Sequence, residues 1–431
     1  MTGERERVRR TGRGPTAVLL NPCPAVVAAA RRAGARTVVV APGPPVPSDR
    51  EGAERRVPAD WRDHGDLVTA LGRLDAVRRG RARVFGFDPA AALAAARANE
   101  ALGLPGTPAA AVAALMDKAV LRARSNALHA VRPVSFVRCG RAALIPFLAA
   151  LIGFPCVVKP RAGVLGEGVR LLAGPAEAEA AVRDYPRITD LLVEEYLEGP
   201  ELAVQALSRG GRHRVLGWAR RIPGPGAAAT TATGHELPVA LPAEAAAAVR
   251  ALVRGVLDLA GHRDGPSHTE LVLTPYGPRL IEAHAHPGAE ELVALLRLAH
   301  GTDVLALAVA AGLGLPDPVL HPRAAHAGLR YVDFPPGTPV ARARPGLAAA
   351  RAVPGVFRVG LQVPPGATVH GPPTGSLHHA HVLATAPTAD SLGRALDRAA
   401  ALLDGRPGPL TPDSRGIHVP PPPWGHGPHP T

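Results

Sequence analysis

The stretch HTELVLTPYGPRLIEAHAHPG, residues 268–288, decides the fold because it combines a strand-like pattern with a row of polar side chains. Two runs rich in apolar residues are separated by Pro-Tyr-Gly (275–277), a sequence typical of turns, and this pattern predicts a β-hairpin. Side chains alternate between the faces of a strand, so His268 shares a face with Glu270, and Glu282 shares a face with His284. Opposed carboxylates repel unless a cation lies between them, and hard oxygen ligands suit Mg²⁺. The hairpin is therefore a candidate metal site, with an exposed polar face as the alternative.

A second stretch, PCVVKPRAGVLGEGV (155–169), predicts a buried strand that ends at Lys159 and leads into a glycine-rich turn. The backbone N–H groups of such a turn approach phosphates closely, and a lysine ammonium neutralises them. Gly163, Gly166 and Gly168 are therefore candidates for a lid over phosphates. The alternative is a glycine-rich hairpin without a ligand, since such hairpins are common.

The acidic segment EEYLEGPE (194–201) begins at the end of a predicted apolar strand. Backbone groups of Glu195 and Leu197 can face the edge of an adenine, while the carboxylate of Glu201 accepts hydrogen bonds from ribose hydroxyls. The alternative is a solvated acidic turn.

The first hundred residues alternate short apolar strands with helices, which predicts a small parallel sheet covered by helices, a Rossmann-like layer. The predicted strands are 17–20, 37–41 and 83–87, and the predicted helices are 24–33, 66–78 and 89–102. Segment 42–62 is rich in turn residues and predicts no strand. No GxGxxG follows the first strand, so no motif indicates dinucleotide binding there.

The remaining chain predicts more helices, strands and two irregular segments. We expect a flexible loop at 223–234, one continuous helix at 289–312 and a final α+β piece at 325–405. The tail from Pro407 is rich in Pro, Gly and His and is expected to be disordered. The apolar run 142–158 contains prolines and a glycine, so it predicts a helix followed by a strand rather than a membrane span.

Composition narrows the functional classes. The net charge is +13, yet the arginines are scattered and aromatic residues make up only 3% of the chain, which favours small anionic ligands over a nucleic-acid groove. The three cysteines lack CxxC spacing, so neither a disulfide framework nor a zinc site is indicated. A reducing, cytoplasmic location fits this cysteine usage.

In this order, the motifs resemble those of the ATP-grasp superfamily, and most of all those of its carboxylate–amine ligases, which include the L-amino acid ligases. The resemblance rests on DK (117–118), VVKP with the glycine-rich turn (157–168), EEYLEGPE (194–201), GHELP (234–238), HTEL (268–271) and LIEAHAHPG (280–288).

The resemblance implies a fold of α/β and α+β parts. The expected units are an N-terminal Rossmann-like domain (1–110), an ATP-grasp domain (111–315) with an antiparallel-sheet lid at about 125–200, a C-terminal α+β subdomain (316–408) and a disordered tail (409–431).

The resemblance also implies a nucleotide and metal site. Lys118 and Lys159 would bind the phosphates of ATP beneath the lid glycines, Glu194–Leu197 would hold the adenine, and Glu201 the ribose. Two carboxylates and an imidazole would bind Mg²⁺, or Mn²⁺ in its place: Glu270, Glu282 and His284. Many relatives have asparagine at the last of these positions, and nitrogen is a poorer ligand for Mg²⁺ than oxygen.

Related ligases often carry an arginine at the position of His286, where it stabilises the reacting acyl phosphate. An imidazole would replace it only when protonated, so a neighbouring Arg220 or Arg221 is an alternative. Together with His268, these residues are the candidates for the catalytic groups.

The implied activity is the ATP-dependent activation of a carboxylate as an acyl phosphate, followed by its coupling to an amine. The expected partners are small-molecule substrates, with neither nucleic acid nor a membrane, and a homodimer is the commonest default. Three alternatives remain open. The chain could have the same fold without ligase activity, as a regulatory or scaffolding ATP-binding protein. It could be a basic protein that binds nucleic acid, or a ligase whose acceptor is not an amine.

Overall fold

The structure is a computed structural model of the 431-residue chain. It describes residues 14–43, 53–128, 132–163, 166–185, 190–224, 232–319, 321, 325–339, 343–363, 367–369 and 378–404. The expected disordered tail, much of the expected flexible loop at 223–234 and two residues of the glycine-rich turn lie outside these ranges.

The N-terminal part is a four-stranded parallel sheet in the order β3-β2-β1-β4. Its strands are β1 (Thr16–Leu20), β2 (Arg36–Ala41), β3 (Arg55–Pro58) and β4 (Ala82–Phe85), and its helices are Pro24–Arg32, His64–Gly72, Asp75–Arg78 and Pro89–Ala101. Apolar side chains on the two sheet faces belong to two separate core clusters, which confirms the predicted layer with helices on both sides.

Strand β3 corrects the expectation of a strand-free segment at 42–62. Only Val57 of this short strand is buried, and its neighbours are arginines and a proline, so the sequence carries no alternating pattern. Pairing with β2 at the edge of the sheet creates the strand, and such tertiary pairing outweighs a weak local preference.

A second sheet of four antiparallel strands has the order β5-β8-β6-β7. The strands are β5 (Phe136–Cys139), β6 (Cys156–Pro160), β7 (Arg170–Leu172) and β8 (Leu191–Glu195), and helices Ile145–Ile152 and Pro175–Ala181 pack on them. Helices Ala109–Met116 and Lys118–Ser125 instead contact strand Gly277–His284 and helix Ala243–Ala260. The apolar run 142–158 divides as predicted, because Gly153 adopts a φ of 95° between the helix and β6.

The largest sheet has eight strands in the order β13-β12-β9-β10-β11-β14-β16-β15. Their bounds are β9 (Glu201–Arg209), β10 (Arg212–Pro223), β11 (Ala232–Leu237), β12 (Gly265–Thr274), β13 (Gly277–His284), β14 (His326–Val332), β15 (Val356–Leu361) and β16 (Ala380–Ala386). The predicted hairpin is β12 and β13, and helix Ala243–Ala260 packs beneath it. Strand β11 was not predicted, and its first three residues, 232–234, fall within the expected loop at 223–234.

The C-terminal piece continues this sheet. Strand β14 pairs with β11 in antiparallel register, and helices Ala343–Arg351 and Ala389–Asp404 contact the strands beyond it. The surface of the large sheet therefore runs without a break from the β12–β13 hairpin to the C-terminal strands. The domain boundaries inferred from the sequence remain predictions.

The expectation of one helix at 289–312 is wrong. Two helices, Glu290–His300 and Val304–Gly312, meet at a bend of 96°. Gly301 ends the first helix with a φ of 65°, and the side chain of Asp303 accepts a hydrogen bond from Ala306 N to cap the second. Among the described residues no single helix is long and apolar enough to cross a membrane. The two helices of this bent pair reach that length and apolar composition only when they are counted together.

Candidate active site

A cavity of about 530 Å³ lies where the three sheets approach one another. Its walls come from the sheet of strands β5–β8, called the lid sheet below, from one face of the large sheet and from residues 87–89, which follow β4. Most of the predicted site residues line it: Lys118, Lys159, Gly163, Gly166, Glu194, Glu195, Leu197, Glu201, Arg221, His268, Glu270, Glu282, His284 and His286. Gly168 and Arg220 do not.

Lys159 and Glu194 form a buried ion pair at the lid side of the cavity. Arg122 completes it, since its Nε lies 2.9 Å from a carboxylate oxygen of Glu194. Burial alone would raise the pKa of Glu194, but the charges of Arg122 and Lys159 outweigh it and hold the pKa at about 2. Burial lowers the pKa of Lys159, and Glu194 opposes that effect. Sequence reasoning missed Arg122, which lies outside every recognised motif.

The hairpin carboxylates are opposed as predicted. Glu270 of β12 is in register with Glu282 of β13, and both line the cavity that Lys159 lines. The ammonium of Lys118 lies 3.3 Å from a carboxylate oxygen of Glu282. Arg122 also donates to the backbone oxygen of Ile281, at 3.1 Å, so the buried ion pair is tied directly to the hairpin.

Each hairpin carboxylate has an imidazole beside it. His268 Nε2 lies 3.1 Å from Glu270, and His284 Nε2 lies 3.1 Å from Glu282. Burial would raise the pKa of both carboxyls, but hydrogen bonds from these imidazoles outweigh it and lower the pKa of each. The pair is therefore held ionised, which is the state that a divalent cation requires.

The fit to a metal is good for the two carboxylates and poor for the third predicted ligand. Among the described residues no group of three or more His, Cys, Asp or Glu side chains is arranged around a common point as metal ligands. His284 instead points its Nε2 at Glu282. Mg²⁺ in nucleotide sites is commonly held by one or two carboxylates together with phosphates and water. Glu270 and Glu282 are therefore enough protein ligands for such an ion.

The predicted adenine segment lies along the cavity, but part of its backbone is already engaged. Glu195 N–H donates to Ser135 O at 3.0 Å, and Tyr196 N–H donates to Pro155 O at 3.3 Å. Those two groups are therefore unavailable to a base, which leaves Leu197 as the predicted backbone donor. Glu201, at the start of β9, pairs with Arg221 at 3.0 Å, and burial raises its pKa.

The glycine-rich turn is held against the phosphate side of the cavity. Gly163 O accepts a hydrogen bond from Lys118 Nζ at 2.8 Å, so one lysine connects the turn to Glu282. Gly168 lies behind the turn with a φ of 70°, and a Cβ there would lie 2.9 Å from Pro160. Its role is thus in the backbone geometry of the turn rather than in the cavity wall.

The two arginines of β10 lie on opposite faces of the large sheet because they are adjacent in the strand. Arg221 faces the cavity. Arg220 pairs with Glu236 of β11 instead. Of the two alternatives to a protonated histidine, only Arg221 is at the site.

His286 lines the cavity but does not supply the expected positive charge. Its Nδ1 lies 3.0 Å from the backbone oxygen of Pro287, and burial lowers its pKa to about 3. The neutral imidazole is therefore favoured, and Arg221 is the remaining candidate for a cation near the reacting group.

Three residues on the far side of the cavity were given no role by the sequence: His235 of β11, Tyr331 of β14 and Glu290. His235 lies inside the recognised GHELP motif, so its position was visible. Tyr331 lies in no motif and reaches the cavity only because β14 pairs with β11.

An opposed carboxylate pair, two lysines and a glycine-rich turn at one cavity define a nucleotide-dependent enzyme of the ATP-grasp class. Residues 152–294 match the ATP-grasp domain family. The chain is 30% identical over 234 residues to D-alanine--D-alanine ligase of Ralstonia nicotianae, which covers 50% of the chain and 70% of that protein. The chain belongs to the ATP-grasp family, as the sequence motifs indicated.

Two further matches are more particular. Residues 334–405 match the family described as L-amino acid ligase C-terminal domain 2. Carnosine synthase 1 of Gallus gallus is 34% identical over 247 residues, which cover 52% of the chain but only 26% of that protein. The chain thus spans about a quarter of the length of this larger relative.

The fold is that of a solved ligase. The crystal structure of L-amino acid ligase from Bacillus licheniformis superimposes with a TM-score of 0.73 and 21% sequence identity, covering 90% of this chain and 97% of that one. The predicted fold class, with α/β and α+β parts in an ATP-grasp arrangement, is confirmed.

Proposed function

We propose that this chain is an ATP-dependent ligase that activates the carboxylate of an amino acid as an acyl phosphate and couples it to an amine, releasing ADP and phosphate. The observation that carries the proposal is the pairing of Glu270 with Glu282 in the cavity that Lys118 and Lys159 line. The names of the similar proteins, carnosine synthase and D-alanine--D-alanine ligase, support amino acids as the substrate class.

In this proposal ATP lies between the lid sheet and the large sheet. Lys118 and Lys159 neutralise its phosphates, the turn from Gly163 covers them, and Leu197 N–H and Glu201 hold the adenosine. Burial lowers the pKa of Lys159, Glu194 opposes that effect, and anionic phosphates would favour the charged form further.

Glu270 and Glu282 are the proposed ligands of Mg²⁺, with Mn²⁺ as a substitute. The ion would neutralise charge on the phosphates and hold them in line with the attacking oxygen. For the Nε2 atom of His284 to bind the ion as well, it must leave the carboxylate oxygen of Glu282, which lies 3.1 Å away.

The reaction has two steps. An oxygen of the substrate carboxylate attacks the γ-phosphorus of ATP in line, and the bond to the ADP oxygen breaks. The amine nitrogen then attacks the acyl carbon, the amine loses a proton and phosphate leaves, which forms the amide. Arg221 and His268 are the proposed groups that stabilise developing negative charge on the acyl oxygen. Covering the cavity during turnover protects the acyl phosphate from water.

The proposed partners are small-molecule carboxylates and amines, in a cytoplasmic enzyme without a nucleic-acid or membrane partner. A homodimer is the proposed default. The family membership supports the small-molecule part of this statement, and gel filtration with light scattering tests the rest.

A screen of amino-acid pairs for ATP-dependent phosphate release, with mass spectrometry of the products, tests the proposal. We expect at least one pair to give phosphate and a product whose mass equals the sum of the substrates minus water. If the protein binds a non-hydrolysable ATP analogue but releases no phosphate with any amino-acid pair, the ligase proposal is wrong and the regulatory or scaffolding alternative is supported.

A further inference from the structure

Tyr331 stands at the end of a row of functional side chains on one face of the large sheet. The pairing of neighbouring strands sets the members of this row. Glu282 of β13 lies opposite Glu270 of β12, and Arg221 of β10 lies opposite His235 of β11. His235 opposes Leu329 on β14, and Tyr331 is two residues further along that strand, so it points to the same face. The C-terminal part of the chain thereby contributes a phenol to the cavity.

The ring of Tyr331 is fixed from two sides. It stacks on His378, with ring centroids 4.1 Å apart and planes 12° apart. The edge of His235 approaches it at 6.4 Å and 82°. His378 is itself buried, with its Nδ1 3.0 Å from a carboxylate oxygen of Asp333. Because the ring cannot swing freely, the position of its hydroxyl is set before any ligand binds.

The hydroxyl of Tyr331 has no hydrogen-bond partner in the part of the chain that the structure describes. Tyrosine hydroxyls in semi-buried positions usually have one. The charged groups that act on it most are Glu291, Glu270 and Arg221. Burial raises the pKa of the phenol, which therefore stays protonated at neutral pH and is able to donate.

We propose that Tyr331 donates a hydrogen bond to an oxygen of the carboxylate substrate and so positions it for attack on ATP. The inference rests on the proposed ligase function and adds a residue from the C-terminal part to its carboxylate site. A carboxylate fits this place because Arg221 lies on the same sheet face two strands away, and two donors can share its two oxygens. The predicted adenine segment instead begins at the end of β8, in the lid sheet.

Tyr331→Phe is the sharp test, since it removes the hydroxyl and keeps the ring on His378. Positional isotope exchange in labelled ATP, measured with the carboxylate alone, reports acyl phosphate formation without the amine. We expect the exchange rate to fall and the KM for the carboxylate to rise, each about 10-fold or more, as for the loss of a hydrogen bond to a charged group. The Kd of a non-hydrolysable ATP analogue and the KM for the amine should change by less than about twofold.

Tyr276→Phe is the matched control, because Tyr276 lies in the β12–β13 turn and is 71% exposed. It should leave every constant unchanged. Exchange and carboxylate KM at wild-type values in Tyr331→Phe would overturn the inference alone, as would a change confined to the KM for the amine. Absence of exchange in the wild-type protein with every carboxylate would overturn the ligase proposal and this inference with it.

Discussion

The two ends of the cavity are built from different chemistry. At the nucleotide end, charged side chains are already matched: Glu194 with Arg122 and Lys159, and Glu282 with Lys118. At the opposite end, the imidazole of His235 and the phenol of Tyr331 share a sheet face with Arg221, which pairs with Glu201, and burial lowers the pKa of His235 to about 4. One end is thus an array of matched charges, and the other combines neutral rings with the cation of Arg221.

Under the proposed function, this difference follows from what each end recognises. The phosphates of ATP are invariant and strongly anionic, so lysines suit them directly and carboxylates suit them through a divalent cation. A substrate that varies between enzymes is recognised through shape and single hydrogen bonds. We therefore expect substitutions at the nucleotide end to affect all catalysis or folding, and those at the opposite end to affect the response to one substrate.

The largest effect is expected at the carboxylate pair. Glu270→Gln or Glu282→Gln removes the charge that holds the divalent cation, so ADP release should fall by about 1000-fold, as for the loss of a group that stabilises transition-state charge. Coupled measurement of ADP with saturating substrates checks this. Glu236→Gln, outside the cavity beside Arg220, should keep normal rates. Near-normal turnover by both cavity variants would remove Glu270 and Glu282 from metal binding.

The buried ion pair should dominate stability at the nucleotide end. Arg122→Met removes one of the two buried cations that pair with Glu194, which should lower the free energy of unfolding by about 3 kcal/mol. Arg220→Met, which breaks a half-exposed pair, should cost less than about 1 kcal/mol. Urea denaturation of both variants compares them directly, and equal losses would show that burial of the Arg122 pair contributes nothing special.

Glu194 should also make the protein sensitive to acid. Its folded pKa of about 2 lies below the ordinary value of 4.5, so the folded state binds fewer protons than the unfolded state in that range. The stabilisation is therefore complete above about pH 4.5 and is lost as the pH falls towards 2. Unfolding free energies measured across this range should show a shallower slope in Glu194→Gln than in the wild type. Parallel slopes would contradict the assignment.

The smallest expected effect is on kcat, and it should differ between the two neighbouring arginines of β10. Arg221→Met should lower kcat about 10-fold, because a cation near the acyl group is lost, whereas Arg220→Met should leave kcat unchanged. Steady-state kinetics with the best substrate pair from the screen checks both. If the two variants behave alike, the sheet face on which each arginine lies has no bearing on catalysis.

That the residues of the proposed nucleotide end lie together could be predicted from the sequence, because they belong to short local motifs. A lysine closing a buried strand and two carboxylates on alternating hairpin positions can be recognised within about twenty residues. Arg122 carries no such signal, since an arginine in an ordinary helix pairs with Glu194 only through the tertiary fold.

The opposite end depends on pairing between strands far apart in the chain. Tyr331 reaches the cavity through the register of β11 with β14, which no local pattern reveals. The bend between the two helices near Gly301 was predictable in principle, because glycine followed by Asp303 is a stop signal and then a cap.

The most direct test of the account is Mn²⁺ binding measured by electron paramagnetic resonance with a non-hydrolysable ATP analogue. The wild-type protein should bind Mn²⁺ tightly only when the analogue is present, and the double variant Glu270→Gln, Glu282→Gln should lose this binding while retaining its fold. Equal Mn²⁺ affinity in the two proteins, with the analogue bound, would contradict the claim that the hairpin carboxylates hold the cation beneath the nucleotide.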